Sequence, residues 1–453
     1  MGSNKHYIAD TGEPLKGAGE KSAAGLSMVL VALAIGFVAG LAVWAVFYAS
    51  SALTELLWGT GYSALAACLE GAGIPSWWIP IAFCLLGGTI IGLWSLKMGG
   101  APAPLAHVLA SVKKTGSYRL ENLLASIVGF LLPLVFGGAI GPEAGIAGII
   151  AAACTRIGEA LKRAGIRVKG LTDVTISAAL SAVFVTPFAG IIATAEGALA
   201  GADEPADGTA EPADSATRNL TFRRSVKLVL YTASALGAVG AVAAFTALFG
   251  SEGGLPRFEG VTPQDVRLLW GIPCLVAGYL GALLFHTGEK CFGLLSAKMG
   301  EHPVLKPVIA GLVLGLLALP LPYVLFPGEA QAFALMDEWN TLGVVVLAAT
   351  GLCKCLATPL CLNFGWKGGH FFPIIFAGIA LGYAVAAVSG VDPMFCIAIT
   401  CATLVAGVQR KPFMALALLL LCFPVSSVVW LGIACLIGAA LPLPIALRTS
   451  SAK

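Results

Sequence analysis

Three glycine-proline segments hold the residue types from which this chain can build a binding site: Gly99-Gly-Ala-Pro102, Gly137-Gly-Ala-Ile-Gly-Pro142 and Gly365-Trp-Lys-Gly-Gly-His-Phe-Phe-Pro373. Each precedes an apolar run. Proline fits the first turn of a helix, where its missing N–H costs no hydrogen bond, and glycine lets backbone approach a ligand closely. The pattern predicts helices that begin inside an apolar environment. A helix start presents unpaired N–H groups and the positive end of the macrodipole, so it attracts negative charge without a cationic side chain. The candidate anion-binding residues are therefore Gly99, Gly100, Gly138, Ala139, Ile140, Gly141, Gly369, His370, Phe371 and Phe372. One such segment is explained as well by close helix packing through small residues; three together favour a shared site.

Ionisable groups near these segments are few. Glu143 follows Gly141-Pro142 directly, and Glu196 stands late in an apolar run. An intramembrane carboxylate is a candidate gating or proton-linked group. It is equally a stabiliser of its own helix start in the case of Glu143, or a solvated helix-end residue in the case of Glu196. Lys367 and His370 flank the third segment, where they can raise the local positive potential or simply lie at the surface. Cys353 and Cys355 form a lone C-x-C, which reads as packing, and no cofactor or metal is expected.

The elements that must position these groups follow from composition. Of the 453 residues 58% are hydrophobic and 11% charged, which excludes an ordinary soluble domain. A bilayer-crossing helix needs about 20 apolar residues. Hydrophobic elements are expected at 26–50, 76–96, 122–137, 143–160, 172–200, 226–249, 267–290, 303–325, 339–362, 371–389, 393–407 and 412–442. The fold class expected is an all-α integral membrane protein. Leu26–Ser50 is too long for a signal-peptide core and reads as a retained helix.

Basic residues cluster at Lys5, Lys16 and Lys21, at Lys97 to Arg119, at Arg156 to Lys169 and at Arg218 to Lys227, whereas 51–80 has no Lys or Arg. The positive-inside rule then places the amino terminus in the cytoplasm of a cell whose plasma membrane holds the protein. The expected organisation is a cytoplasmic segment 1–25, a first transmembrane repeat 26–249, an extracellular crossover 250–266, a second repeat 267–442 and a cytoplasmic tail 443–453. The stretch 201–219, rich in Ala, Asp, Pro and Gly, reads as a flexible loop. Gly138-Ala-Ile-Gly-Pro142 matches Gly369-His-Phe-Phe-Pro373, and Thr186-Pro187-Phe188 matches Lys411-Pro412-Phe413, with prolines 231 and 225 residues apart. Broken apolar segments at matching places in two halves point to inverted repeats around a midplane site.

On these motifs the chain resembles the CLC-type chloride channel and chloride/proton antiporter family over about residues 26–449. Gly369-His-Phe-Phe-Pro373 fits the family's G-x-F-x-P, Pro187-Phe-Ala-Gly190-Ile191 resembles the segment leading to its internal glutamates, and Arg410-Lys-Pro412 resembles the counterpart in the second half. The resemblance implies a homodimer of tilted, partly broken helices with one anion pathway per subunit. Departures are equally specific. Ile140 stands where the family's gating glutamate is expected, Gly99 where a pore serine is, Pro444 where a pore tyrosine is, and Gly197 at the proton-linked position. The Gly141-Pro142-Glu143 sequence is similar to a divergent bacterial branch of YfeO-like ion-transport proteins.

With those positions untitratable, the reading favoured at this level is passive movement of a small monovalent anion, chloride first and fluoride second, held by backbone amides. Proton-coupled exchange through Glu143 or Glu196 is the alternative. An intramembrane enzyme would need paired aspartates, HExxH, Gly-x-Ser-x-Gly or a phosphate loop, none of which occurs here. A cation transporter would need more acids within the apolar runs. The partners expected are the anion, lipid and a second copy of the chain, with no nucleic acid.

Overall fold

The computed structural model describes residues 18–99, 108, 111, 118–120, 122–146, 148–152, 155, 224–249, 256–261, 267–420, 422–444 and 447. Among these the protein is helical, with no strand. In chain order the helices are α1 (Ala18–Thr54), α2 (Tyr62–Gly71), α3 (Ile79–Met98), α4 (Leu123–Val135), α5 (Glu143–Ala152), α6 (Arg224–Phe249) and α7 (Leu268–Met299). They continue as α8 (Leu305–Ala318), α9 (Glu329–Glu338), α10 (Val344–Asn363), α11 (Phe371–Ser389), α12 (Pro393–Gln409), α13 (Pro412–Leu419) and α14 (Val428–Ala440). Among the described residues six stretches are long and apolar enough to span a bilayer, while α4, α5, α8 and α12 are apolar but shorter.

Several boundaries differ from expectation for local reasons. The first helix does not stop at residue 50: a π-helical stretch, Glu55–Gly61, carries it into α2, so part of the segment read as an external loop is helix. The run expected to reach 325 stops at Ala318 because Pro320 and Pro322 cannot donate to a continuing helix. The run expected over 412–442 is two helices separated by Pro424 and a short 3-10 turn, Val425–Ser427. Helix α9 lies in a stretch read as loop.

Glycine packs the outer helices closely. An added Cβ on Gly36 of α1 would lie 1.8 Å from the Ser234 carbonyl oxygen of α6, and one on Gly311 of α8 would lie 2.2 Å from that of Cys84 in α3. Such contacts suit a membrane, where attraction between helices comes from packing rather than from expelling water. Large side chains such as Leu248, Leu269 and Val345 stay exposed at 74%, 83% and 79%, as a lipid-facing surface requires. Helix α11 is the most enclosed of the six spans, with 83% of its apolar window buried, and it is surrounded by α7, α9, α10 and α12.

Candidate functional site

Two backbone segments meet at the start of α11. Each leaves a helix, turns through a glycine of positive φ (Gly137 at 89°, Gly365 at 92°) and runs extended to a second helix start. The segments pair once, antiparallel: the Gly141 N–H donates to the Gly369 oxygen at 2.8 Å and the Gly369 N–H to the Gly141 oxygen at 2.7 Å.

Their backbones repeat closely. Gly138 N–H donates to Pro133 O and Trp366 N–H to Cys361 O; Phe136 donates to Leu132 O and Phe364 to Leu360 O; Ile146 donates to Pro142 O and Ile374 to His370 O. Every one of these equivalences carries the separation of 228 that also relates Glu143 to Phe371. The register expected from the prolines, 231, is therefore shifted by three at these segments. Pro142 precedes its helix whereas Pro373 lies inside the first turn of α11, and proline is tolerated at either place.

The side chain at the centre is Glu143. It is fully buried, and its Oε1 accepts the Phe371 N–H at 2.7 Å, so a carboxylate beside the first segment occupies the first amide of α11, which follows the second. Its Oε2 has no hydrogen-bond partner. The paired glycines make the room: an added Cβ on Gly369 would lie 1.9 Å from Oε1, and one on Gly141 2.0 Å from Oε2. A carboxylate is here placed where a helix N-terminus would otherwise receive a free anion.

The candidate amides divide by what they already bond. Gly138, Gly141, Gly369 and Phe371 donate within the two segments, and the Ala139 N–H reaches the Cys361 sulfur. Among the described residues the amides of Ile140 and His370 donate no hydrogen bond. Ala139, Ile140 and Phe372 are fully buried and Phe371 nearly so. Gly99 is not gathered with them as an amide donor, since it ends α3 at a φ of 59° with its N–H on Ser95 O. Gly100, Glu196 and Gly197 lie outside the described residues. Pro444 is exposed. Lys367 is exposed on the extended segment, close enough to Lys306 to feel its charge.

The first extended segment is pinned from several directions. Trp58 Nε1 donates to Val135 O at 2.9 Å, Cys84 Sγ to Phe136 O at 3.7 Å, and the Phe326 N–H to Gly137 O at 3.1 Å. Phe326 belongs to a strap held by Lys354, a residue not singled out in the sequence. The fully buried Lys354 Nζ donates to three successive carbonyls, Val324 at 2.8 Å, Leu325 at 2.9 Å and Phe326 at 2.5 Å, and lies 5.1 Å from the centroid of the Phe376 ring. Three donors meet three acceptors, which satisfies the ammonium without a carboxylate. The signal was present in sequence, because a lysine within an apolar run is rare unless it has partners. No group of His, Cys, Asp or Glu among the described residues is arranged to hold a metal ion.

Comparison with known proteins bears on this geometry. Residues 87–442 match the family model described as "Voltage gated chloride channel". The chain is 27% identical to "Putative ion-transport protein YfeO" of Escherichia coli over 367 residues, covering 79% of this chain and 78% of that protein. It is 27% identical over 118 residues to "Chloride channel protein CLC-f" of Arabidopsis thaliana and 28% identical over 137 residues to "Putative chloride channel protein ClcB-like" of Ralstonia nicotianae. These last two matches span 25% and 30% of this chain, and only 15% and 30% of the relatives' own lengths. Among solved structures, a CLC-type fluoride/proton antiporter superposes with a TM-score of 0.63 at 19% identity, covering 94% of this chain and 96% of that one. A slow cyanobacterial Cl-/H+ antiporter superposes at 0.65 and 19% identity, covering 91% and 93%. These likenesses concern the fold.

Proposed function

Since this chain belongs to the voltage-gated chloride channel family, we propose that it carries a small monovalent anion across the membrane and that Glu143 competes with this anion for the amides at the start of α11. The observation that supports the reading is the Glu143 carboxylate on the Phe371 N–H, with its other oxygen buried and unpartnered. Protonation removes the negative charge that rivals the anion, and the freed Phe371 amide joins those of Ile140 and His370 in receiving it. Coupling of proton to anion follows from this competition. Glu143 thereby takes over the task that Ile140, at the family's usual gating position, cannot perform. Chloride is the first expected anion and fluoride the second. The protein works as a homodimer in the plasma membrane, with its amino terminus cytoplasmic.

Purified protein in liposomes tests this directly. An outward chloride or fluoride gradient should drive protons uphill, and anion flux should rise as pH falls through the titration of Glu143. Glu143→Gln should abolish the proton movement and leave an anion flux insensitive to pH. Wild-type protein that passes anions without moving protons, and is unaffected by Glu143→Gln, would instead support passive conduction. That second reading draws on the absence of a titratable group at Ile140 and Pro444.

A further inference from the structure

Glu143 has to exchange its proton with water although it is fully buried. We propose that Glu289, His286, His370 and Gln409 form a water-bridged proton relay from the Lys298 end of α7 to Glu143; this rests on the reading of Glu143 as the proton-carrying group.

His370 immediately precedes Phe371, whose amide holds the Glu143 carboxylate. Its ring stacks on that of Phe371 at 4.9 Å between centroids and lies 5.8 Å from that of Phe285, while its Nε2 is 2.7 Å from Gln409 Nε2 at the end of α12. A carboxamide serves either protonation state of an imidazole: its N–H donates to a bare Nε2, and its oxygen, after a flip, accepts from a protonated one. Gln409 thus holds the His370 ring in place without fixing its charge.

The ring of His286 packs on the neighbouring Phe285 at 5.9 Å, and its Nε2 is 3.2 Å from the carbonyl oxygen of Gly407, two residues before Gln409. A carbonyl only accepts, so Nε2 carries the hydrogen and Nδ1 is left as the basic atom. That Nδ1 faces Glu289 Oε2 at 3.8 Å. The exposure of the two side chains rises from 12% at His286 to 48% at Glu289, so the acid lies nearer the protein surface.

Among the described residues, several charged groups on the surrounding helices have partners of their own. Lys354 of α10 is held by three carbonyls, and Arg410 after α12 donates to Ala439 O and Leu441 O. Glu338 of α9 accepts from Tyr323, and Tyr383 of α11 stacks on Trp339. The charges that bear on His370 are those of Glu289 and His286.

Each step moves one proton and breaks no other bond. Glu289 takes a proton from water and passes it to His286 Nδ1. The imidazolium then gives up its Nε2 proton from Gly407 O to a bridging water and keeps the new hydrogen on Nδ1, and a turn of the ring restores the first tautomer. That water protonates His370, which releases its proton through water to the unpartnered Oε2 of Glu143. The neutral acid then yields the Phe371 amide to the anion.

Proteoliposome measurements of proton and anion flux on the same preparation test the relay. His286→Gln should lower anion-driven proton flux by about tenfold or more and Glu289→Gln by less, with the coupled anion flux following; added to Glu143→Gln, whose anion flux needs no proton, neither change should alter the anion flux. His370→Gln should abolish proton flux. Wild-type proton flux in both His286→Gln and Glu289→Gln would overturn the relay, as would a fall of anion flux when either change is added to Glu143→Gln, which marks a structural role. Glu143→Gln run in parallel separates the two ideas. If wild type moves protons and Glu143→Gln does not, an unchanged proton flux in His286→Gln defeats the relay alone; if wild type moves none, the reading of Glu143 fails and the relay with it.

Discussion

Gly369 has to lack a side chain because of what lies against it. A methyl there would stand 1.9 Å from Glu143 Oε1, closer than any pair of unbonded heavy atoms can settle. Gly369→Ala should therefore cost about 1–3 kcal/mol by overpacking and push the carboxylate off the Phe371 amide. Thermal unfolding in detergent should show the loss, and Glu143→Ala in the same chain should restore at least about 1 kcal/mol of it through the vacated volume. Additive effects of the two changes would contradict the contact. At this scale the sequence was half legible. The glycines and Glu143 were visible as a helix start with an acid beside it, but the partner, an amide 228 residues away, was not, because local spacing says nothing about which segment folds against which.

Between helices, the decisive feature is the strap that fastens the extended segment. Lys354 sits within the C-x-C that drew attention in the sequence for its cysteines, and the lysine is what the structure uses. Lys354→Met would strip the donor from three buried carbonyls, at about 1–3 kcal/mol each, and loosen the Phe326 bond to Gly137. Loss of about 3 kcal/mol or more should appear as a clear drop in Tm; an unchanged Tm would mean that the strap holds by other means. Helix α11 was legible to the residue at 371–389, since a Gly/Pro break and a glycine stop bound a continuous apolar run. Helices α2 and α9 were not. The first continues α1 through a π-helical stretch with no punctuation, and the second carries polar residues that read as loop.

For the whole molecule, composition and apolar runs were enough to indicate a helical membrane protein, whereas the way its short helices share one interior required the backbone. Orientation is open to a direct check. Cys68, exposed on α2, lies near the carboxyl end of the long first apolar stretch, Val29–Gly71, and belongs to the segment without Lys or Arg. With the amino terminus in the cytoplasm, a membrane-impermeant maleimide added to intact cells should label Cys68, and a Cys68→Ser variant should lose that label. Labelling only after the membrane is opened would reverse the orientation.

The matched backbones of the two extended segments carry one more consequence. An antiparallel pair of equivalent residues such as Gly141 and Gly369 straddles a local dyad, so whatever one half places beside that dyad, an identical half would place there again. Two copies of the first half would bring two glutamates into one buried cleft, where their charges repel. Two copies of the second would offer two phenylalanines and no acid. Joining the halves in one polypeptide lets them diverge, so that one contributes a carboxylate and the other an amide to receive it. Departure from symmetry at Glu143 and Phe371, within matched backbones, sets an acid on one side of the seam and an amide on the other, which is the arrangement the proposed function needs for an ion and a proton to exclude each other.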